Sequence, residues 1–256
     1  MRKLLRFGAC LLIVAFTATC WATPISKKPK FKGFYLGASG GVDSWNVENT
    51  IEFFDTDLST EFPVARNDNN TGRLGGSGGI FLGYGFTEGQ TYGSFELNLD
   101  VLSNKHNYKT IMSATIGGDN ISAEFVISEK QQYGGSLDFH GGYIFNNVAL
   151  LYFTAGYAVE QFKSTAQYGF SDTALFSGTL SSYSTNTNVS AARIGLGSEF
   201  AFQRNWRVRL EAFEKFYSNK SFFLSDITEV QVLTNGNTIN ATRSYLAYYV
   251  GILRQF

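Results

Sequence analysis

Tyr245-Leu246-Ala247-Tyr248-Tyr249-Val250-Gly251-Ile252-Leu253-Arg254-Gln255-Phe256 is the last stretch of the sequence, and its side-chain pattern decides how the rest is read. The even positions Leu246, Tyr248, Val250 and Ile252 are apolar and lead to Arg254 and Phe256, while the odd positions carry Tyr245, Ala247, Tyr249, Gly251, Leu253 and Gln255. That is the two-residue period of a β-strand. A tilted strand of about 9 to 11 residues crosses a bilayer, and this segment has the length. Arg254 interrupts the apolar face, so its guanidinium must reach the membrane surface on its aliphatic stem.

Seven earlier segments alternate in the same way. From Gly33, Phe34, Leu36, Ala38 and Val42 share one face, and Tyr35, Ser39 and Asp43 the other. Between 74 and 86, Leu74, Ile80, Leu82, Tyr84 and Phe86 align; between 92 and 101, Phe95, Leu97, Leu99 and Val101 oppose Tyr92, Ser94, Glu96, Asn98 and Asp100. Residues 132 to 145 set Tyr133, Leu137, Phe139, Tyr143 and Phe145 against Ser136, Asp138 and His140. Segment 149 to 162 is apolar on both faces, and placing Thr154, Gly156 and Glu160 on the polar side requires a three-residue turn or a bulge before them. Residues 189 to 202 oppose Ile194, Leu196, Phe200 and Phe202 to Arg193 and Glu199. Residues 206 to 217 oppose Trp206, Val208, Leu210, Ala212 and Phe216 to Arg207, Arg209, Glu211 and Lys215.

Charged residues on one face and apolar residues on the other, repeated over eight segments, predict an all-β fold. The expected architecture is an eight-stranded antiparallel up-and-down transmembrane β-barrel whose apolar side meets lipid. The connections support it: short ones near 87–90, 146–148 and 203–205 alternate with long ones over roughly 46–73, 103–131, 164–188 and 218–243. Short periplasmic turns and long extracellular loops are the outer-membrane arrangement. Phe34, Tyr84, Phe86, Tyr143, Phe145, Phe202, Trp206 and Phe256 then fall at the turn ends of the outward faces and form an aromatic girdle at one interface.

The start of the sequence agrees. Arg2, Lys3 and Arg6 precede an apolar run from Phe7 to Thr19, and Cys20-Trp21-Ala22 offers a small-x-small cleavage site, so 1–22 reads as a signal peptide. A lipoprotein signal at Cys20 is the competing reading, but Thr17-Ala18-Thr19 lacks the aliphatic residue and the small Gly/Ala/Ser it needs. Residues 23–32 form a polar periplasmic lead and 33–256 the barrel with its four long loops. Cleavage would remove Cys10 and Cys20, excluding disulfides and thiolate zinc. It would also remove three of the 21 basic residues, leaving 18 against 21 acidic ones and a net charge of −3. No nucleic-acid footprint remains. Three prolines, 27 glycines and 16% aromatic residues suit a single all-β unit.

The GFYLGASGGV opening, TYGSFELNLD, ARIGLGSEF, WRVRLEAFEKF and the terminal Phe256 together resemble the small outer-membrane barrels of the OmpA-transmembrane-domain, OmpX and opacity-protein kind. The resemblance implies the outer membrane of a Gram-negative bacterium, a monomer set in lipid and lipopolysaccharide, and a terminal aromatic, Phe256, read by the barrel assembly machinery. It implies a non-enzymatic protein that supports the envelope and presents loops to host or neighbouring-cell molecules. A narrow pore for small or apolar solutes and a lipid A-modifying enzyme are the alternatives. The lipid A deacylases of this kind use a His-x-Ser pair facing lipid, whereas His140-Gly141-Gly142 points inward and His106-Asn107-Tyr108 sits in a loop.

The candidate functional residues are the inward charges Glu96, Asp138, Arg193, Glu199, Arg207, Arg209 and Glu211. Keeping both charged faces inward around Gln203-Arg204-Asn205 sets Glu199 opposite Arg209 and Gly197 opposite Glu211. Arg193, Arg207, Glu96 and Asp138 are placed to join across a bore just wide enough for side chains to fill. Gly75-Gly76-Ser77-Gly78-Gly79 matches the G-x-S-x-G of hydrolases, but that motif requires a strand-to-helix elbow, and here it lies within a strand. Asp55-Thr56-Asp57 begins like a calcium loop without the glycine and acidic closing residue. No catalytic residue, metal or cofactor is expected. Apolar stretches in the long loops, Ile51 to Phe54, Ala123 to Ile127, Ala174 to Phe176 and Phe222 to Leu224, fit hairpins that continue above the membrane or a contact surface there.

Overall fold

A sheet with one apolar and one charged face, immersed in lipid, must close on itself, because an open edge would leave backbone groups with no partner. In the computed structural model it does so. The structure describes residues 31–52, 73–116, 119–172, 181–218, 220–223 and 238–256. Within them lie β1 (Gly33–Glu52), β2 (Arg73–Glu88), β3 (Thr91–Leu102), β4 (Lys105–Ile116), β5 (Asp119–Phe145), β6 (Ala149–Asp172), β7 (Ser181–Ala201), β8 (Trp206–Tyr217), β9 (Lys220–Phe223) and β10 (Thr238–Gln255). The barrel order is β1-β2-β3-β5-β6-β7-β8-β10, every pairing is antiparallel, and β10 returns to β1 from Tyr35↔Gln255 to Glu52↔Thr238. Eight strands therefore form the wall. β4 pairs with β5 and β9 with β10 as extensions beyond one rim.

Those extensions are the hairpins expected to continue above the membrane, and they shorten the loops between them. His106 lies in β4, in register with Glu129, rather than in a loop. The stretch Ala123 to Ile127 belongs to β5, and Phe222 and Phe223 to β9. Pairing of β5 with β6 continues to Ile121↔Asp172, far past the rim. Strands need apolar outward residues only inside the lipid, so the alternation fades above it while backbone pairing continues. Asp55-Thr56-Asp57 and Ala174 to Phe176 lie outside the described residues, as do the signal segment and residues 23–30.

The turns at the opposite rim fix the register. The first is shorter than expected: only Gly89 and Gln90 separate Glu88 from Thr91, and Gly89 adopts a left-handed φ of 61°. The second has three residues, with Asn146 and Asn147 at φ 49° and 57° and Val148 N donating to Phe145 O at 3.0 Å. Asparagine tolerates that conformation. This turn resolves the ambiguous segment: Thr154 and Glu160 point inward and are buried, while Phe153, Tyr157 and Val159 face outward. At the third turn Ala201 pairs with Arg207, Glu199 with Arg209 and Gly197 with Glu211.

Outward residues are apolar and exposed along the wall, among them Phe34, Leu82, Leu97, Leu137, Ile194 and Val250. The aromatics expected at the turn ends lie there, with Phe34 edge-on to Tyr84 at 4.9 Å and Tyr143 edge-on to Phe145 at 4.9 Å. Trp206 is half-buried. Exposed Tyr133, twelve residues along β5 from Phe145, marks the other interface. From Tyr133 to Phe145 the chain rises about 3.4 Å per residue at a tilt of about 40°, or roughly 30 Å, which fits a 25 Å apolar band with its flanking girdles. Arg254 is accommodated at the interface: its guanidinium lies 5.8 Å from the Trp206 ring and 5.4 Å from the Phe256 ring. Phe256 N donates to Phe34 O at 2.9 Å, tying the last residue to the first strand.

Candidate functional site

The inward face is a filled interior, and glycines make the filling fit. A Cβ at Gly83 would lie 2.3 Å from the Tyr35 ring, and one at Gly197 would lie 2.2 Å from Tyr152. Bulky rings thus lie flat against the wall where the opposite strand has no side chain. At the turn end, Phe31, Tyr92, Ile144, Leu150, Tyr152 and Ala201 form an apolar floor. Phe31 comes from the segment expected to be a polar lead, yet it is 5% exposed and packs edge-on to Tyr92.

Above this floor the charges assemble in tiers. In the first, Arg209 bridges two carboxylates: Nη1 donates to Glu96 Oε1 at 2.8 Å, and Nε and Nη2 donate to Glu199 Oε1 at 2.9 and 2.8 Å. Arg207 pairs with Glu199 Oε2 at 2.9 Å and donates to Gln255 Oε1. Aromatic faces complete the shells, with Arg209 4.3 Å from the Phe81 ring centre and Arg207 4.8 Å from that of Phe31. In the second tier, Arg193 donates to Asp138 Oδ2 at 2.7 Å, lies 3.4 Å from Glu211 Oε2, and covers the Phe213 ring at 3.6 Å. Asn98 and Ser136 also donate to Asp138 Oδ2, at 2.8 and 3.1 Å, and Thr154 donates to Glu211 Oε1 at 2.8 Å.

The structure therefore brings all seven candidate charges into two adjoining tiers. Sequence reasoning missed a third. There Glu160 meets Lys215, Tyr217 and Gln131, Asn104 donates to Gln131 at 3.0 Å, and Tyr245 donates to Asp43 at 2.8 Å. Inward facing of Lys215, Glu160 and Asp43 was the available signal. The ionic side chains of these tiers are at most 3% exposed.

Among the described residues the buried carboxylates are Asp43, Glu96, Asp100, Glu129, Asp138, Glu160, Glu199 and Glu211, and the buried cations are Arg193, Arg207, Arg209 and Lys215. The first two tiers alone hold four carboxylates and three guanidiniums. Beside them His140, 1% exposed, stacks on Tyr152 with ring centres 4.7 Å apart. Neither of its ring nitrogens has a hydrogen-bond partner. One of them falls within 4.8 Å of carboxylate oxygens of both Glu96 and Asp138, which are themselves within that distance of each other. Ser77 lies within the continuous strand β2, between Gly41 of β1 and Leu102 of β3, with no elbow around it.

Residues 8–246 match a family profile described as outer membrane protein beta-barrel domain. No curated protein sequence matches the chain. In fold it is similar to Ail, the attachment invasion locus protein of Yersinia pestis, at 12% identity over 88% of this chain and 99% of that one, with a TM-score of 0.33. It is also similar to Neisserial surface protein A, at 10% identity over 88% and 98%, TM-score 0.40. A third likeness is to the outer membrane protein OprG from Pseudomonas aeruginosa, at 11% identity over 90% and 98%, TM-score 0.39. These structural likenesses are too distant to bear on function.

Proposed function

Because this chain belongs to the outer membrane protein β-barrel family, and so resides in the outer membrane of a Gram-negative bacterium, we propose that it is a non-conducting, non-enzymatic scaffold. Its work is to stiffen the envelope and hold long hairpins outside the cell. The observation that carries this reading is the interior: ion pairs at most 3% exposed fill the bore between an aromatic floor and a third polar tier. A solute path would have to break several of them, and each uncompensated buried charge costs several kcal/mol. That speaks against the narrow pore. Against an enzyme, neither nitrogen of His140 is hydrogen-bonded, so no serine is held against it for nucleophilic attack.

The hairpins supply the second half of the proposal. β5 and β6 stay paired for more than ten residues beyond Tyr133, which projects a ribbon well clear of the lipid. Loops and ribbons on a rigid barrel are where surface contacts with host or neighbouring cells are made. On this reading the barrel works as a monomer surrounded by lipid and lipopolysaccharide, and the assembly machinery handles the terminal strand with Phe256. Protease added to intact cells is expected to cut between β1 and β2, β4 and β5, β6 and β7, or β9 and β10, leaving a membrane-embedded core with the turns at 89–90, 146–148 and 202–205 uncut. Cleavage confined to those turns would invert the topology and remove the surface role.

A further inference from the structure

We propose that Glu96, Asp138 and His140 form an internal binding site for one divalent metal ion of the zinc class. Three independent features point to it. The donor set is one imidazole and two carboxylates, with candidate ligand atoms mutually within 4.8 Å. Tetrahedral zinc, with bonds of about 2.0–2.2 Å, holds its ligands roughly 3.5 Å apart, so side-chain rotations of about an ångström close the site without moving the wall. Next, atoms placed to bind are left without partners: the ring nitrogen of His140 that faces the carboxylates and Oδ1 of Asp138, both buried. A buried polar atom with no hydrogen bond is costly, and in folded proteins such atoms are rare. Finally, the surrounding tiers hold four carboxylates against three guanidiniums. A dication meets an excess of negative charge there.

The neighbours are arranged as supports for such ligands. Arg193, Asn98 and Ser136 all donate to Oδ2 of Asp138, which leaves Oδ1 free. Arg209 fixes Glu96. The Tyr152 ring stacks on His140, with ring centres 4.7 Å apart, and restricts its rotation. Gly156, opposite Asp138 in register, keeps the space open, since a Cβ there would lie 1.8 Å from Asp138 Oδ1. An imidazole ligand favours zinc, copper or nickel over magnesium or calcium, which take oxygen. With three protein ligands, a water fills the fourth position of zinc.

Because the site is sealed, loading is tested during folding. Full-length chain is refolded from urea into detergent with and without Zn2+, passed through a chelating column, and assayed for zinc per folded chain by elemental mass spectrometry. The expected result is about one zinc per wild-type chain, at least a tenfold loss in His140→Gln, and retention in His140→Cys, where a thiolate replaces the imidazole. Wild-type chain that folds without stoichiometric zinc overturns the proposal. Equal zinc in wild type and His140→Gln also overturns it, by placing the ion elsewhere. Should His140→Gln fail to refold, Co2+ in the wild-type chain decides: visible absorption of a four-coordinate nitrogen–oxygen site is expected, and a spectrum of hexaaquo cobalt alone contradicts it.

Discussion

Replacing Arg209 with alanine is expected to destabilise the refolded barrel by about 3–5 kcal/mol, the cost of leaving buried charge without its partner. Arg209 is the shared cation of Glu96 and Glu199. Its loss removes the guanidinium paired with Glu96, while Glu199 retains Arg207. Glu199→Ala alone should cost less, because Arg209 then keeps Glu96 and Arg207 keeps Gln255. In the double variant the Arg209–Glu199 contact is already gone, so its cost should fall short of the sum of the singles by about 1–3 kcal/mol. Urea unfolding in detergent or vesicles gives the four values of the cycle. Strict additivity would mean that the two side chains do not touch.

An effect of similar size is expected on the opposite side of the wall. Leu97 is 51% exposed, which in a water-soluble protein would make its replacement nearly neutral, within about 0.5 kcal/mol. Its register partners Leu82 and Leu137 are likewise outward, midway between the two aromatic levels. Leu97→Arg should therefore cost about 2–4 kcal/mol for folding into phospholipid vesicles, as charges do at the bilayer midplane. Phe202→Arg, at the interface, should cost only about 0–1 kcal/mol. Equal, small effects at both positions would place this face in water.

Much of the wall was legible before any coordinates. Facing follows from alternation wherever a strand lies in lipid, and the charged residues Arg193, Glu199, Arg207 and Arg209 could not face outward at acceptable cost. With a three-residue turn, that alone fixed Glu199 opposite Arg209. The parts that were not legible have two physical causes. Above the lipid the outward face is free to be polar, so β4, β9 and the far halves of β5 and β6 lack a sustained apolar alternation, and short apolar stretches such as Ala123 to Ile127 were their only signal. Within the bore, alternation gives a residue its face but not the strand or side chain it meets. The meetings of Arg209 with Glu96, Tyr245 with Asp43, and His140 with Glu96 and Asp138 depend on registers set across long connections. β3 and β5 are joined through such a connection, so nothing local announced that Ser94 would face His140 and Glu96 would face Asp138. Phe31 was hidden for another reason: a lone aromatic among lysines has no period to reveal it.

An interior filled by paired charges should pass no ions or solutes. Electrical recording from purified wild-type protein in planar bilayers tests it most directly. A steady baseline with no reproducible unit steps is expected once insertion is verified, whereas discrete conductance steps of constant size from the wild-type chain would contradict a sealed interior.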